Sequence, residues 1–315
     1  MKTTITFILL FMCLSISAQK QTNDSIVTFK NKLLFRAKIT NQNKTFTIVE
    51  GQDKFNVEAL NSFKLQLATN YKFVGFGVSF SPINKNSKFS SDFFESELRF
   101  FIDKHWIQTF NYSKIKGFKR RFSNNPNSPI NFPNLKTVAI TGNTSYVLNP
   151  QFSLKHLLNQ NEWQKKSAGS LVPSLEYGLN KIIDVVDSNR IVQNNFDFLI
   201  HTAYYYTWCF KTNWFVSTYL SPALGIRFST DKLVDTKTRE TDLIKTVNLG
   251  LQYGYTSNKI SAGATFNFIT NKTNSEFVRQ FNNSKNNVNI YFTYRMEPPK
   301  FLKRKVANLE KKLGI

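Results

Sequence analysis

From about residue 60 to residue 294, apolar and polar residues alternate in short runs, and the runs come in pairs. A tight turn joins each pair, and a long polar stretch separates it from the next. Alternation with a period of two is a strand signal, because successive side chains of a strand point to opposite faces. The last run is the clearest: Val288, Ile290, Phe292 and Tyr294 share one face, and Asn289, Tyr291, Thr293 and Arg295 the other. Before it, Ile260, Ala262, Ala264, Phe266 and Phe268 oppose Ser261, Gly263, Thr265, Asn267 and Ile269. One run earlier, Val247, Leu249, Leu251, Tyr253 and Tyr255 oppose Thr246, Asn248, Gly250, Gln252 and Gly254. Small residues on the second face suit a tightly curved or crowded interior.

Turn residues stand between apolar runs at Thr69-Asn70, Asp103-Lys104, Lys211-Thr212-Asn213 and Ser257-Asn258. The long polar stretches are 81–91, 114–145, 181–194, 229–241 and 271–287. Short turns at one end and long loops at the other are the habit of outer-membrane barrels, whose short turns face the periplasm. A soluble periplasmic barrel, the alternative, has no reason to sort its loops by length. The predicted fold is therefore all-β, a single antiparallel transmembrane β-barrel.

Eleven runs are legible, near 60–69, 71–81, 92–102, 105–113, 145–157, 166–180, 195–210, 213–228, 242–256, 259–270 and 287–296. Eleven cannot close with both chain ends in the periplasm. Leu33, Phe35, Ala37 and Ile39, alternating with Lys32, Leu34, Arg36 and Lys38, supply one more. Residues 45–49 become its extension or part of the first outer loop. The expected number is about twelve, within a range of ten to fourteen.

The chain divides at residues 1–18, 19–30, 31–297 and 298–315. The first part is a secretory signal: Lys2, an apolar stretch over 5–14, and small residues placing cleavage near Ala18. Cys13 lies inside it behind Met12, a poor setting for lipoprotein processing, so Cys209 is the only cysteine of the mature chain and no intramolecular disulfide forms. The second part is a periplasmic segment and the third the barrel. The fourth follows Pro298-Pro299 and is a basic periplasmic tail, with Leu302, Val306, Leu309 and Leu313 at helical spacing. The expected site is the bacterial outer membrane, reached through the barrel-assembly machinery, as a monomer.

Composition adjusts this picture in two places. The chain has 31 Phe, 12 Tyr and 4 Trp. Tyr71, Phe73, Trp106, Tyr204–Trp208, Trp214, Tyr253 and Tyr255 gather beside the short turns, as an interfacial aromatic girdle requires. The net charge is +22, from 42 Lys and Arg against 20 Asp and Glu. Nucleic acid is the usual partner of such a balance, but an exported chain does not meet it. Contact with anionic lipid head groups, lipopolysaccharide phosphates among them, fits better; a merely solvated loop surface is the plainer reading.

Several motifs resemble a family of Bacteroidota proteins catalogued only as a domain of unknown function and regarded as outer-membrane barrels. They are Lys116-Gly117-Phe118, Tyr146-Val147-Leu148-Asn149, Phe152-Ser153-Leu154, Gln164-Lys165-Lys166-Ser167-Ala168-Gly169-Ser170, Tyr204-Tyr205-Tyr206 and Pro222-Ala223-Leu224-Gly225. The run from Gln164 is the most specific. The resemblance implies the membrane and the barrel, and it brings no catalytic residues.

Little in the chain points to catalysis. His105, His156 and His201 lack a second ligand at metal spacing, and no phosphate-binding Gly-rich loop occurs. No metal, cofactor or catalytic residue is expected. A lipid hydrolase built on His201, with Asp197, Ser217 and Ser221 nearby, is the lesser alternative. Glu95, Glu97 and Arg99 share one strand face opposite Phe94, Leu98 and Phe100, and lipid would penalise them, so they should face the lumen. Arg36, Lys38, Lys64, Glu176 and Arg295 can join them. This charge network is expected to fill the lumen of a barrel with a structural or surface-binding role; a narrow channel for small solutes is the alternative.

Overall fold

The computed structural model describes residues 25–50, 53–59, 63–81, 91–122, 125–158, 161–186, 189–233, 236–274 and 279–313. The expected signal, its expected cleavage site and residues 82–90 of the first long polar stretch lie outside these residues. Fifteen strands are described, β1 to β15 in chain order. Twelve form a closed antiparallel barrel: β2 (Leu33–Glu50), β4 (Phe63–Tyr71), β5 (Val74–Phe80), β6 (Asp92–Phe101), β7 (Trp106–Phe122), β8 (Asn125–Tyr146), β10 (Ala168–Val186), β11 (Asn189–Phe210), β12 (Trp214–Leu233), β13 (Thr236–Thr256), β14 (Ile260–Asn274) and β15 (Arg279–Met296). The seam closes where β15 pairs with β2, from Met296 opposite Leu33 to Arg279 opposite Glu50. Closure leaves no unpaired sheet edge in lipid.

The wall changes strand number along its height. The lower half of β2 pairs with β4 and its upper half with β3 (Asp53–Ala59). β7 pairs with β6 below and with β3 above. Strand β3 therefore bridges β2 to β7 over the shorter β4, β5 and β6, and twelve strands become ten. Val57, Phe93, Ile115 and Phe118 pack together at this step. The change is eased by a bulge in β7, where Gly117 takes φ 88°; that conformation costs glycine little.

Alternation places the residues as the pattern predicts. Val288, Ile290, Phe292 and Tyr294 are exposed on the exterior, while Asn289, Tyr291, Thr293 and Arg295 are buried within. Exposed Trp106, Tyr204, Trp208, Phe210, Trp214, Tyr253 and Tyr294 line the short-turn end of the exterior. Trp214 stacks on Tyr253 at 5.3 Å, and Trp106 meets Tyr146 edge-on at 4.8 Å. Tyr71 is not in this girdle, for its side chain is buried.

Four expectations need correction. The stretch 114–145 is not a loop, because β7 continues to Phe122 and β8 starts at Asn125. Stretches 181–194, 229–241 and 271–287 are likewise largely strand. These hairpins rise beyond the apolar band, so neither face needs to be apolar and the alternation fades. The first short turn lies at Lys72-Phe73 rather than Thr69-Asn70, with Lys72 at φ 55°. Of the expected strand 145–157, only Ser145 and Tyr146 are wall strand, as the end of β8. After Tyr146 the chain leaves the wall, forms helix α1 (Leu154–Leu158) and then β9 (Glu162–Gln164), and re-enters the wall at Ala168. Strand β9 pairs with β1 (Ile26–Thr28). One connection at the short-turn end is thus long and folded. Helix α2 (Lys300–Leu313) follows the last strand. Glu310 of α2 pairs with Lys72, and Glu297 pairs with Lys32.

Candidate functional site: a stoppered, cationic lumen

Residues 147–158 and 161–167 form a stopper at the short-turn end. Several of its apolar side chains turn inward. Val147, Phe152 and Leu154 are buried against Phe101, Ile107 and Val172 of the inner wall, which explains both their hydrophobicity and their resemblance to a strand. Ser153 caps α1, accepting the His156 N–H at 3.0 Å and donating to Glu162 at 2.5 Å. Gln164 accepts the Ser153 N–H at 2.7 Å and donates to the carbonyls of Gln151 and Lys166. Ser167 accepts the Cys209 N–H at 2.9 Å, and Ser170 that of Asn149 at 3.0 Å. The Gln164–Ser170 run, the most specific motif in the sequence, is the stopper's seam with the wall.

His156 sits at the centre of the stopper, fully buried. Its Nδ1 lies 3.2 Å from the Glu162 carbonyl, and its ring meets Phe215 edge-on at 4.3 Å. Nε2 is buried and meets no partner among the described residues. Burial pushes the imidazole down to about 4 against the pull of the Glu162 carbonyl, and the charges of Arg295 and Arg36 add to the fall.

Above α1 lies a cavity of about 240 Å³. Leu157 and Leu158 of the stopper border it, and its walls include Arg36, Lys38, Glu97, Arg99, Tyr205, Tyr219, Gln252, Asn267, Asn289 and Tyr291. The far wall is a polar ladder. Tyr219 donates to Asn267 at 3.1 Å, Asn267 and Asn289 both donate to Asn287 at 2.8 Å, and Thr40 donates to Asn289 at 2.6 Å. Gly250 makes room for this wall, since a Cβ there would lie 2.0 Å from Cε1 of Tyr219.

The charged residues singled out in the sequence fall into separate groups. Lys64 donates to Glu95 at 2.6 Å and to Gln42 at 3.1 Å. Arg99 donates to Glu97 at 2.8 Å, along one strand, and to Thr109 at 3.2 Å. Arg36 donates from Nη1 to the Leu158 carbonyl at 2.8 Å and from Nε to Thr293 at 3.3 Å, while Nη2 is buried without an acceptor among the described residues. Lys38 lines the same cavity. Arg295 lies apart near the short-turn end, bonded to Ser257 and Ser261 and stacked under Phe29 at 4.1 Å. Glu176 lies apart too, 3.2 Å from Nε2 of His201, whose Nδ1 is 3.4 Å from Ser221. Sequence reading missed the stopper altogether. It also missed the bidentate pair of Arg227 with Asp197, at 2.6 and 2.7 Å. Only cross-strand register, which a single strand's pattern does not reveal, brings Asp197 opposite Arg227.

On the exterior, lysines face lysines across neighbouring strands. Lys116 is opposite Lys136, Lys245 opposite Lys272, and Lys232 opposite Lys237. Lys114 and Lys181 flank Val138 in the adjacent row. Asp92 stands opposite Lys116 on its other side. Like charges directly opposite each other disfavour the pairing.

A closed barrel with an apolar exterior band and an aromatic girdle is an outer-membrane barrel. Among solved structures, the chain is similar to the outer-membrane protease OmpT from Escherichia coli, at 6% identity and a TM-score of 0.44, covering 87% of this chain and 100% of that one. The translocator domain of the autotransporter NalP from Neisseria meningitidis is similar at 12% identity and a TM-score of 0.43, covering 94% and 95% of the two chains. An outer-membrane channel from Pseudomonas putida F1 is similar at 10% identity and a TM-score of 0.39, covering 88% and 100%. Comparison with curated proteins gives no match. The family model described as a domain of unknown function, DUF4421, matches residues 22–296, and the chain belongs to that family.

Proposed function

We propose that this protein acts at its outer surface, as a closed barrel that holds anionic lipid head groups against its wall. The observation that carries the reading is the set of outward lysines in register across strands: Lys114, Lys116, Lys136 and Lys181 over β7, β8 and β10. Facing like charges with Asp92 as the carboxylate in register, they gain most from a phosphate bound between them. They lie on the exterior toward the long-hairpin end of β7, β8 and β10, which suits contact with a head group. Each lysine near an anionic surface contributes about 1 kcal/mol. The test is co-sedimentation of the purified chain with lipopolysaccharide, in wild-type form and with all four lysines replaced by Gln. Tight, salt-sensitive binding that the quadruple variant loses supports the reading. Equal binding by both forms overturns it.

A second reading, a narrow conduit for small solutes, draws support from the cavity above α1. It requires the stopper to move, and bilayer conductance separates the two readings.

A further inference from the structure

The cavity above α1 is not neutral. Arg36, Lys38 and Arg99 line it against one carboxylate, Glu97, and that carboxylate is held by Arg99 at 2.8 Å. Arg36 and Lys38 make no ion pair with it among the described residues, and the chamber's lining carries three positive charges against one negative. Arg36 spends Nη1 on the stopper and Nε on Thr293, and its Nη2 is buried with no acceptor among the described residues. No hydrogen bond or ion pair of the Lys38 Nζ occurs among those residues. A buried donor without an acceptor is costly, and a buried charge more so, unless something completes it. The neighbouring groups are hydrogen-bonding side chains rather than further charges: Gln252 donates to Tyr291 at 2.8 Å, and Asn289 lies on the same wall. Leu34 and Leu158 add apolar surface beside them.

We propose that this chamber binds a small organic or inorganic anion bearing a carboxylate or phosphate group, held between Arg36 Nη2 and Lys38 Nζ. A guanidinium and an ammonium side by side favour an anion with two or more oxygens, because each cation then meets its own acceptor. A volume of about 240 Å³ admits a short dicarboxylate or a phosphate monoester and excludes a polymer. The site is independent of the exterior lysines, so either proposal can fail without the other.

The experiment is calorimetric titration of the detergent-solubilised full chain with inorganic phosphate, with succinate and with neutral glucose. Phosphate or succinate is expected to bind and glucose not to. Lys38→Gln should weaken that binding about tenfold or more, the usual loss for a charge-assisted hydrogen bond. Glu97→Gln should strengthen it. Arg36→Gln also frees the stopper, so Lys38→Gln is the deciding variant, and its heat-modifiable gel mobility confirms a folded barrel. Which anion binds more tightly tells a phosphate ligand from a carboxylate one. Absence of binding by both anions overturns the proposal, and so does binding that Lys38→Gln leaves unchanged.

Discussion

Nη1 of Arg36 donates to the carbonyl oxygen of Leu158 at 2.8 Å, joining the first wall strand to a helix 122 residues later in the chain. The same guanidinium lies over the Tyr291 ring at 5.2 Å on the strand that closes the barrel. One side chain thus ties together the stopper and both sides of the seam.

Arg36→Ala should therefore loosen the stopper without opening the wall, whose ladder hydrogen bonds are untouched. A hydrogen bond to a charged group contributes about 1.5–3 kcal/mol. In planar bilayers the wild-type chain should be silent and the variant should show brief openings. Replacing residues 151–164 with a Gly-Ser linker should convert them to sustained steps. Steps in the wild type at neutral pH would mean that the stopper does not close the lumen.

Acid should act in the same direction as Arg36→Ala. His156 titrates near 6.5 when free and is held at about 4 when seated. Between those values the released stopper takes up a proton that the seated one refuses, so stability is lost as pH falls from about 6.5 to about 4 and is complete above that window. The span corresponds to roughly 3 kcal/mol. Conductance should rise on going from pH 7.5 to pH 4.5, and His156→Phe should flatten the response.

Gly250→Val places a branched side chain where Tyr219 stands, with the first added carbon 2.0 Å from the ring. Overpacking of this kind costs about 1–3 kcal/mol. Urea denaturation in detergent should show the loss, and Tyr219→Ala in the same chain should recover much of it.

Arg227→Met removes both bonds to Asp197 and leaves a carboxylate within the wall. The loss should be about 3–5 kcal/mol by urea denaturation, and Asp197→Asn in the same chain should return part of it, since much of the penalty is the stranded charge.

What could be read from the sequence follows from where each strand sits. β13, β14 and β15 were legible because one face meets lipid and the other a polar lumen, which is the condition for alternation. The upper reaches of β7 and β8 were not, since above the lipid band both faces meet water. The stopper was misread for the opposite reason. Val147, Phe152 and Leu154 are apolar because the inner wall buries them, and spacing alone does not say which apolar surface a residue faces. The count of twelve nonetheless agreed, because the misplaced run at 145–157 stood for β8, one passage of the wall. At the site, Lys64 and Glu95 were both singled out in the sequence, but their pairing, and that of Glu176 with His201, depends on packing between strands that sequence spacing does not encode.

β1 ends at Thr28, β2 begins at Leu33, and β1 is held by the stopper while β2 forms one side of the seam. Four residues join the two. The position of β2 in the closed seam therefore sets where β1 can reach β9 at the mouth. Seal and cork are thus two ends of one short tether, and lengthening residues 29–32 would uncouple the mouth from the wall without touching either ladder.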